Sequence, residues 1–194
     1  MMNTKAIIFD LYNTLLYTEY KAKPYLNLFR SLGLTKEEMN FWRDKVMAEN
    51  FNSFEDLKEQ IRPGSNVYTE QYEYDVKEEN QSTHLFDDTE FVLSELSKRY
   101  KLYLISNIAT PYKECFYNLG LDKWIKDPIF SCDVGYYKPD PKIYQIVIEK
   151  SGLQPEQLLM IGDSVRADYE GALNCGIKAI LKDKDLKLIL PKLV

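Results

Sequence analysis

The sequence predicts an α/β fold: a parallel sheet flanked by helices and interrupted by one helical insertion. Three observations carry this expectation. Short apolar runs of strand length recur along the chain, amphipathic segments lie between the later runs, and a long stretch after the first run has no strand-like pattern.

The first run is Lys5-Ala-Ile-Ile-Phe-Asp10, apolar at successive positions as a strand buried on both faces must be. Lys101-Leu-Tyr-Leu-Ile-Ser106, Leu158-Leu-Met-Ile-Gly-Asp163 and Ile177-Lys-Ala-Ile-Leu181 repeat the pattern. Helical spacing marks 89–100, 111–119, 141–151 and 164–174. Gly120, Gly152 and Gly176 each follow one of these segments, where a left-handed residue closes a helix.

The stretch from Tyr17 to Thr83 reads instead as several polar, aromatic-rich helices. Thr35 with Glu38 forms a capping-box pattern, Ser53 with Asp56 a weaker one, and Pro24 suits a first helical turn. The tyrosines of 68–80, among acidic residues, fit an amphipathic helix packing its aromatics on a neighbour. The predicted organisation is a core of 1–16 and 84–194 with an insertion over 17–83.

Composition narrows the function. A chain of 194 residues, 45% hydrophobic and 28% charged, supports one sizeable core with a smaller insertion. The net charge of −5, with no basic run, argues against a nucleic-acid partner. No apolar run approaches the roughly 20 residues a membrane helix needs, and the start lacks a signal-peptide pattern. Cys115, Cys132 and Cys175, odd in number and widely spaced, fit reduced, buried thiols. The expectation is a cytoplasmic protein acting on a small molecule, and nothing in the sequence sets an oligomeric state. His84, the lone histidine, sits in a polar stretch and reads as a solvated linker residue, which leaves a Ser-His-Asp or Cys-His hydrolase without a base.

Ligands of open α/β sheets bind beyond the carboxyl ends of the strands, so the polar residues that end the runs are the candidates. They are Asp10 with Thr14, Ser106 with Asn107, Lys138 ahead of a helix, and Asp163 with Asp168. A carboxylate at Asp10 can attack phosphorus or carbon and form an acyl intermediate that water cleaves. Hydroxyls of Thr14 and Ser106, with backbone N–H groups near Leu11 and Asn107, suit the non-reacting oxygens of a phosphoryl group. Lys138 offers a cation to keep Asp10 ionised. Asp163 and Asp10 supply the oxygen ligands Mg²⁺ prefers, with Asp168 placed to reach a metal-bound water or Lys138.

In order and spacing these clusters resemble the four motifs of the haloacid dehalogenase superfamily: Asp10-Leu-Tyr-Asn-Thr14, Ser106 with Asn107, Lys138, and Gly162-Asp-Ser-Val-Arg-Ala-Asp168. The resemblance implies a Rossmann-like three-layer core with a helical cap inserted after the first motif, where 17–83 lies. It also implies Asp10 as nucleophile, Lys138 as its charge partner, and Mg²⁺ held by Asp10, Asp163 and the backbone carbonyl of Tyr12.

Tyr12 departs from the phosphatase pattern. Phosphatases of this superfamily carry a second aspartate there to protonate the leaving group, whereas its 2-haloacid dehalogenases carry tyrosine. The fourth motif points the other way, because the dehalogenases are metal-free. Without a cation Asp163 beside Asp10 would cost on the order of a few kcal/mol at an effective dielectric near 20. The dehalogenases also use a cap arginine to receive halide; Arg30, Arg43 and Arg62 are candidates whose surroundings read as solvated surface. The favoured expectation is Mg²⁺-dependent hydrolysis of a small phosphorylated metabolite. A 2-haloacid dehalogenase and a catalytically weak binding or regulatory protein are the alternatives.

Overall fold

A computed structural model describes residues 4–182 and 184–192. Strand β1 (Ala6–Phe9) leads into the short β2 (Leu16–Thr18). Helices α1 (Pro24–Ser31), α2 (Lys36–Ala48), α3 (Phe54–Ile61) and α4 (Glu70–Gln81) follow, and β3 (Thr83–Leu85) returns to pair with β2. The remainder alternates: α5 (Thr89–Ser97), β4 (Lys101–Ser106), a 3-10 turn over Thr110–Lys113, α6 (Glu114–Asn118), β5 (Ile129–Phe130), α7 (Ser131–Val134), α8 (Pro141–Ser151), β6 (Leu158–Gly162), a π-helical turn over Val165–Glu170, α9 (Gly171–Asn174) and β7 (Lys178–Leu181).

The main sheet has the order β5-β4-β1-β6-β7 with every pairing parallel. Side chains alternate across a strand, so each apolar run feeds two cores. Ile7, Phe9, Leu102, Leu104, Leu159 and Ile161 face one side, packed with Val92, Leu93 and Leu96 of α5 and Phe116 of α6. Ala6, Ile8, Tyr103, Ile105, Leu158 and Met160 face the other, against Ile143, Tyr144 and Val147 of α8. This is the three-layer α/β architecture, and it explains why these strands read as continuous apolar runs rather than alternating ones. Each fully buried Leu or Ile contributes about 1.5–3 kcal/mol, so strand positions this deep admit no polar residue until the strand ends.

Helices α1 to α4 form a separate apolar cluster around Leu28, Phe29, Val46, Phe54, Leu57 and Tyr72. The local signals place their starts. Pro24 opens α1, Ser53 Oγ accepts the Asp56 N–H at 3.0 Å, and Thr35 and Glu38 exchange both capping-box bonds. In α4, Tyr72 and Val76 are buried while Tyr68, ahead of it, and Tyr74 are exposed. Gly120, Gly152 and Gly176 have φ of 68°, 66° and 76°, the left-handed closures expected of them.

Three details differ from the sequence reading. The β2–β3 ribbon straddles the edges of 17–83, where three-residue strands are too short to show a period. The two residues of β5 went unread for the same reason. His84 lies on β3 rather than in a linker, exposed, with its ring 6.0 Å from that of Tyr17. Among the described residues no helix is long and apolar enough to cross a membrane. Cys115 and Cys132 are buried free thiols, and Cys175 is partly buried.

Candidate active site

The polar residues gather where the central strands end. Asp10 is the first residue past β1, and its N–H still donates to the Ile161 carbonyl at 2.9 Å, which fixes the backbone between β1 and β6. The chain then turns sharply, with Leu15 N–H donating to Leu11 O at 2.8 Å, and brings Thr14 back beneath the carboxylate. Thr14 Oγ1 donates to Asp10 Oδ2 at 3.2 Å, leaving Oδ1 to Lys138.

Lys138 is buried and spends all three of its N–H donors: on Asp10 Oδ1 at 2.7 Å, on Asp168 Oδ1 at 2.6 Å and on the Ile105 carbonyl at 2.8 Å. Asn107 positions it, since Asn107 Nδ2 donates to the Lys138 carbonyl at 2.7 Å and Lys138 N–H donates to Asn107 Oδ1 at 2.7 Å. The Lys138–Pro139 peptide bond is cis. Asp168 Oδ2 accepts the Ser164 N–H at 2.9 Å, so both its oxygens are engaged. This carboxylate lies so close to Gly162 that a Cβ there would meet it at 2.3 Å, which is why a glycine ends β6. Ser106 is buried at the end of β4.

Charge and burial compete in this cluster. Burial is the largest influence on Asp10; Lys138 opposes it, Asp168 and Asp163 add to it, and the pKa is pushed up from 3.8 to about 6. Burial works against the Lys138 ammonium, but Asp10 and Asp168 more than offset it and hold its pKa above the usual lysine range. Half-buried Asp163 is raised by burial and then by Asp168. Lys138 thus offsets part of the effect of burial on Asp10; its one ammonium is shared by the Asp10 and Asp168 carboxylates, and Lys182 also acts on Asp163. Ligand oxygens of Asp10, Asp163 and Asp168 lie within 4.8 Å of one another, a spacing that suits a divalent cation. Asp10, through Thr14 and Lys138, and Asp168, through Lys138 and the Ser164 N–H, each have both oxygens engaged, so a cation here would share an already hydrogen-bonded carboxylate.

Tyr12 points elsewhere. Its hydroxyl lies 3.5 Å from the Tyr112 carbonyl and its ring meets Tyr112 edge-on at 6.3 Å. Burial, with Cys115 and Glu79 adding, raises its pKa, so the phenol stays neutral. Arg43 pairs with Asp44 and Arg62 with Glu38, while Arg30 is exposed. Sequence reasoning missed the cavity of about 320 Å³ beside the cluster, lined by Tyr12, Asn13 and Asn107 on the sheet side and by Lys21, Lys23 and Met47 on the other. The second group carries no motif; a Lys-x-Lys ahead of Pro24 was the one visible signal.

Known proteins share this arrangement to different extents. The chain is 29% identical to the putative HAD-hydrolase YfnB of Bacillus subtilis over 192 residues, covering 97% of this chain and 79% of that one. It is 34% identical to the glyceraldehyde 3-phosphate phosphatase of Methanothermobacter thermautotrophicus over 103 residues, 52% of this chain but 46% of that enzyme. In fold it resembles a HAD family enzyme from Bacteroides thetaiotaomicron, solved in complex with magnesium and inorganic phosphate. That match has a TM-score of 0.70 at 18% identity and covers 96% of this chain and 98% of the other. Residues 4–176 match the haloacid dehalogenase-like hydrolase family model, and with the strand-end cluster in place the chain belongs to that family of hydrolases.

Proposed function

We propose that this hydrolase is of the phosphatase type and cleaves a small phosphorylated metabolite with Asp10 as nucleophile and Mg²⁺ as cofactor. The observation that carries the reading is the Asp10 carboxylate held between Thr14 and Lys138, with Asp163 within reach of a shared cation. Asp10 attacks phosphorus, the ester oxygen leaves with its electron pair, and water then cleaves the aspartyl phosphate to release phosphate and restore the carboxylate. Lys138 orients the attacking carboxylate through Oδ1, while Asp168 and Asn107 position the lysine. Mg²⁺, held by Asp10, Asp163 and the Tyr12 backbone carbonyl, would neutralise charge on the phosphoryl group and relieve the mutual repulsion of the carboxylates. The helices of 17–83 act as a cap that screens the strand ends from water. Phosphatase relatives favour this reading over a haloacid dehalogenase, as does a cavity that no arginine lines among the described residues.

The test is turnover of an activated phosphate ester and of a 2-haloacid, each with Mg²⁺ and with excess chelator. Ester hydrolysis that the chelator abolishes and Mg²⁺ restores is expected, with Asp163→Asn demanding more Mg²⁺. Haloacid turnover in chelator would overturn the proposal, and no turnover of either would mark a binding protein.

A further inference from the structure

The hydrolytic chemistry leaves the far side of the 320 Å³ cavity unused, and its lining is unusual. Among the described residues, Asn13 and Lys23 are the non-glycine residues with left-handed backbone, each at φ 60°, and both line this cavity. Asparagine tolerates that conformation; lysine rarely adopts it, and such strain persists where the surroundings over-determine it and clusters at ligand sites. Here the Lys23 N–H donates to Glu79 Oε1 at 2.9 Å, and Pro24 starts α1 at the next residue. The geometry sets Lys23 beside the cavity together with exposed Lys21, and neither ammonium has an ion-pair partner among the described residues. Glu79, the acid in the lining, is buried and committed: one oxygen takes the Lys23 N–H and the other the Tyr112 hydroxyl. Two lysines against one acid leave this end of the cavity positive. Met47, Ile108 and Ala109 line the same cavity and give it apolar surface. The volume lies in the range of small-molecule sites.

We propose that the substrate is a phosphorylated organic anion with a second charged group. Its phosphoryl group sits at Asp10, its carbon skeleton lies along Met47, Ile108 and Ala109, and its second anion, a carboxylate or another phosphate, is held by Lys21 and Lys23. This rests on the phosphatase reading and adds the substrate class. Both anions use the same recognition chemistry, a charge-assisted bond to ammonium.

The experiment compares kcat/KM for three phosphate esters of matched length, ending in a neutral hydroxyl, a carboxylate or a second phosphate. Wild type, Lys21→Gln and Lys23→Gly are measured with Mg²⁺, and thermal midpoints are recorded alongside. At least one anionic ester is expected to exceed the neutral one by about tenfold or more, the size of a charged hydrogen bond; which one it is separates carboxylate from phosphate. That ratio should fall about tenfold in at least one variant. Lys23→Gly removes the left-handed strain, so its midpoint should match or exceed wild type; a purely structural lysine would give that gain with no change in ratio. A wild-type ratio near one, or a ratio unmoved by both variants, overturns the inference while hydrolysis of the neutral ester keeps the phosphatase reading standing. No turnover of any ester defeats both.

Discussion

The strand-end cluster and the helical insertion solve opposite problems. Around Asp10 the buried polar groups are committed to one another: Lys138 to three acceptors, Asp168 to two donors, Asn107 to the backbone of the lysine. The insertion has its own apolar core and meets the 109–115 segment through Tyr112, which packs on that core with its ring 6.4 Å from that of Tyr25, and through polar contacts of Asn50, Glu79 and Asn80. A saturated, buried network holds one geometry, whereas one aromatic contact and several partly exposed bonds hold a position that can be left. Reaction chemistry belongs to the first kind of structure and selection of substrate to the second.

The largest expected effect breaks the first region. Asp10→Asn removes the attacking charge and should lower turnover by about four orders of magnitude, measured as initial rate on an activated phosphate ester. The same variant should be the more stable protein at neutral pH when metal is absent. Burial raises the folded-state pKa of Asp10 to about 6 against 3.8 for the ordinary group, so the folded state binds this proton more tightly than the unfolded chain. The stabilisation this gives is complete below about pH 4 and is lost as pH rises through about 6. Asparagine resembles the protonated carboxyl and does not titrate. Unfolding in urea should therefore show no advantage for the variant at pH 3.5 and one on the order of 2–3 kcal/mol at pH 7. Equal stability at both pH values would mean that Lys138 compensates Asp10 in full.

Tyr12→Asp tests whether the border between the two regions can be given the missing acid. Tyr12 is turned toward Tyr112 and its phenol is kept neutral, so it does not protonate a leaving group in this arrangement. A carboxylic acid there should raise turnover of esters with poor leaving groups by about 10²-fold, the low end for general acid catalysis. An activated ester should gain much less. Lost aromatic packing lowers the thermal midpoint in either case, and a lower midpoint with no gain on any ester would show Tyr12 to be a packing residue alone.

Lys138→Met breaks the network from its centre. The change strands Asp10 and Asp168 as buried carboxylates facing each other and should cost about 3–5 kcal/mol in a denaturant titration. A loss under 1 kcal/mol would mean that water enters the cluster and replaces the lysine.

The same contrast decides what was legible in the sequence. Burial on both faces forces β1, β4 and β6 into apolar runs, so the first polar residue after each run had to lie at the sheet edge; Asp10 and Asp163 were readable on that ground. Lys138 and Asp168 were readable by resemblance and by charge. The sharing of one ammonium by Asp10 and Asp168 was not, because burial of Asp10 is a property of the assembled fold. In the insertion, caps such as Thr35 with Glu38 are local and were legible. Its ligand-facing residues were not: Glu79 lies 56 positions from Lys23, across a hydrogen bond that no local pattern announces. The ribbon of β2 and β3 was too short to carry a period.

The smallest effect concerns the polar contacts that seat the insertion on the core. Asn50, between α2 and α3, donates from Nδ2 to the Cys132 carbonyl at 3.1 Å and to Asp133 Oδ1 at 3.0 Å, and its Oδ1 accepts from Thr110 Oγ1 at 2.9 Å and Lys113 Nζ at 3.3 Å. The site is exposed, so water replaces the lost partners and Asn50→Ala should cost about 1 kcal/mol or less. Lys113 keeps its pair with Asp133 at 2.7 Å, and Thr110 still accepts the Phe51 N–H at 3.3 Å. What should change is the closed population of the insertion, because Asn50 carries four of the hydrogen bonds that join it to the core. Loosening it raises KM for a substrate that spans both sides of the cavity more than it lowers kcat. Hydrogen exchange should also quicken in residues 109–113 and 50–54 while β1 and β4 keep their protection. Faster exchange spread evenly through the sheet would show that the two regions unfold as one unit, and that the saturated cluster depends on the insertion after all.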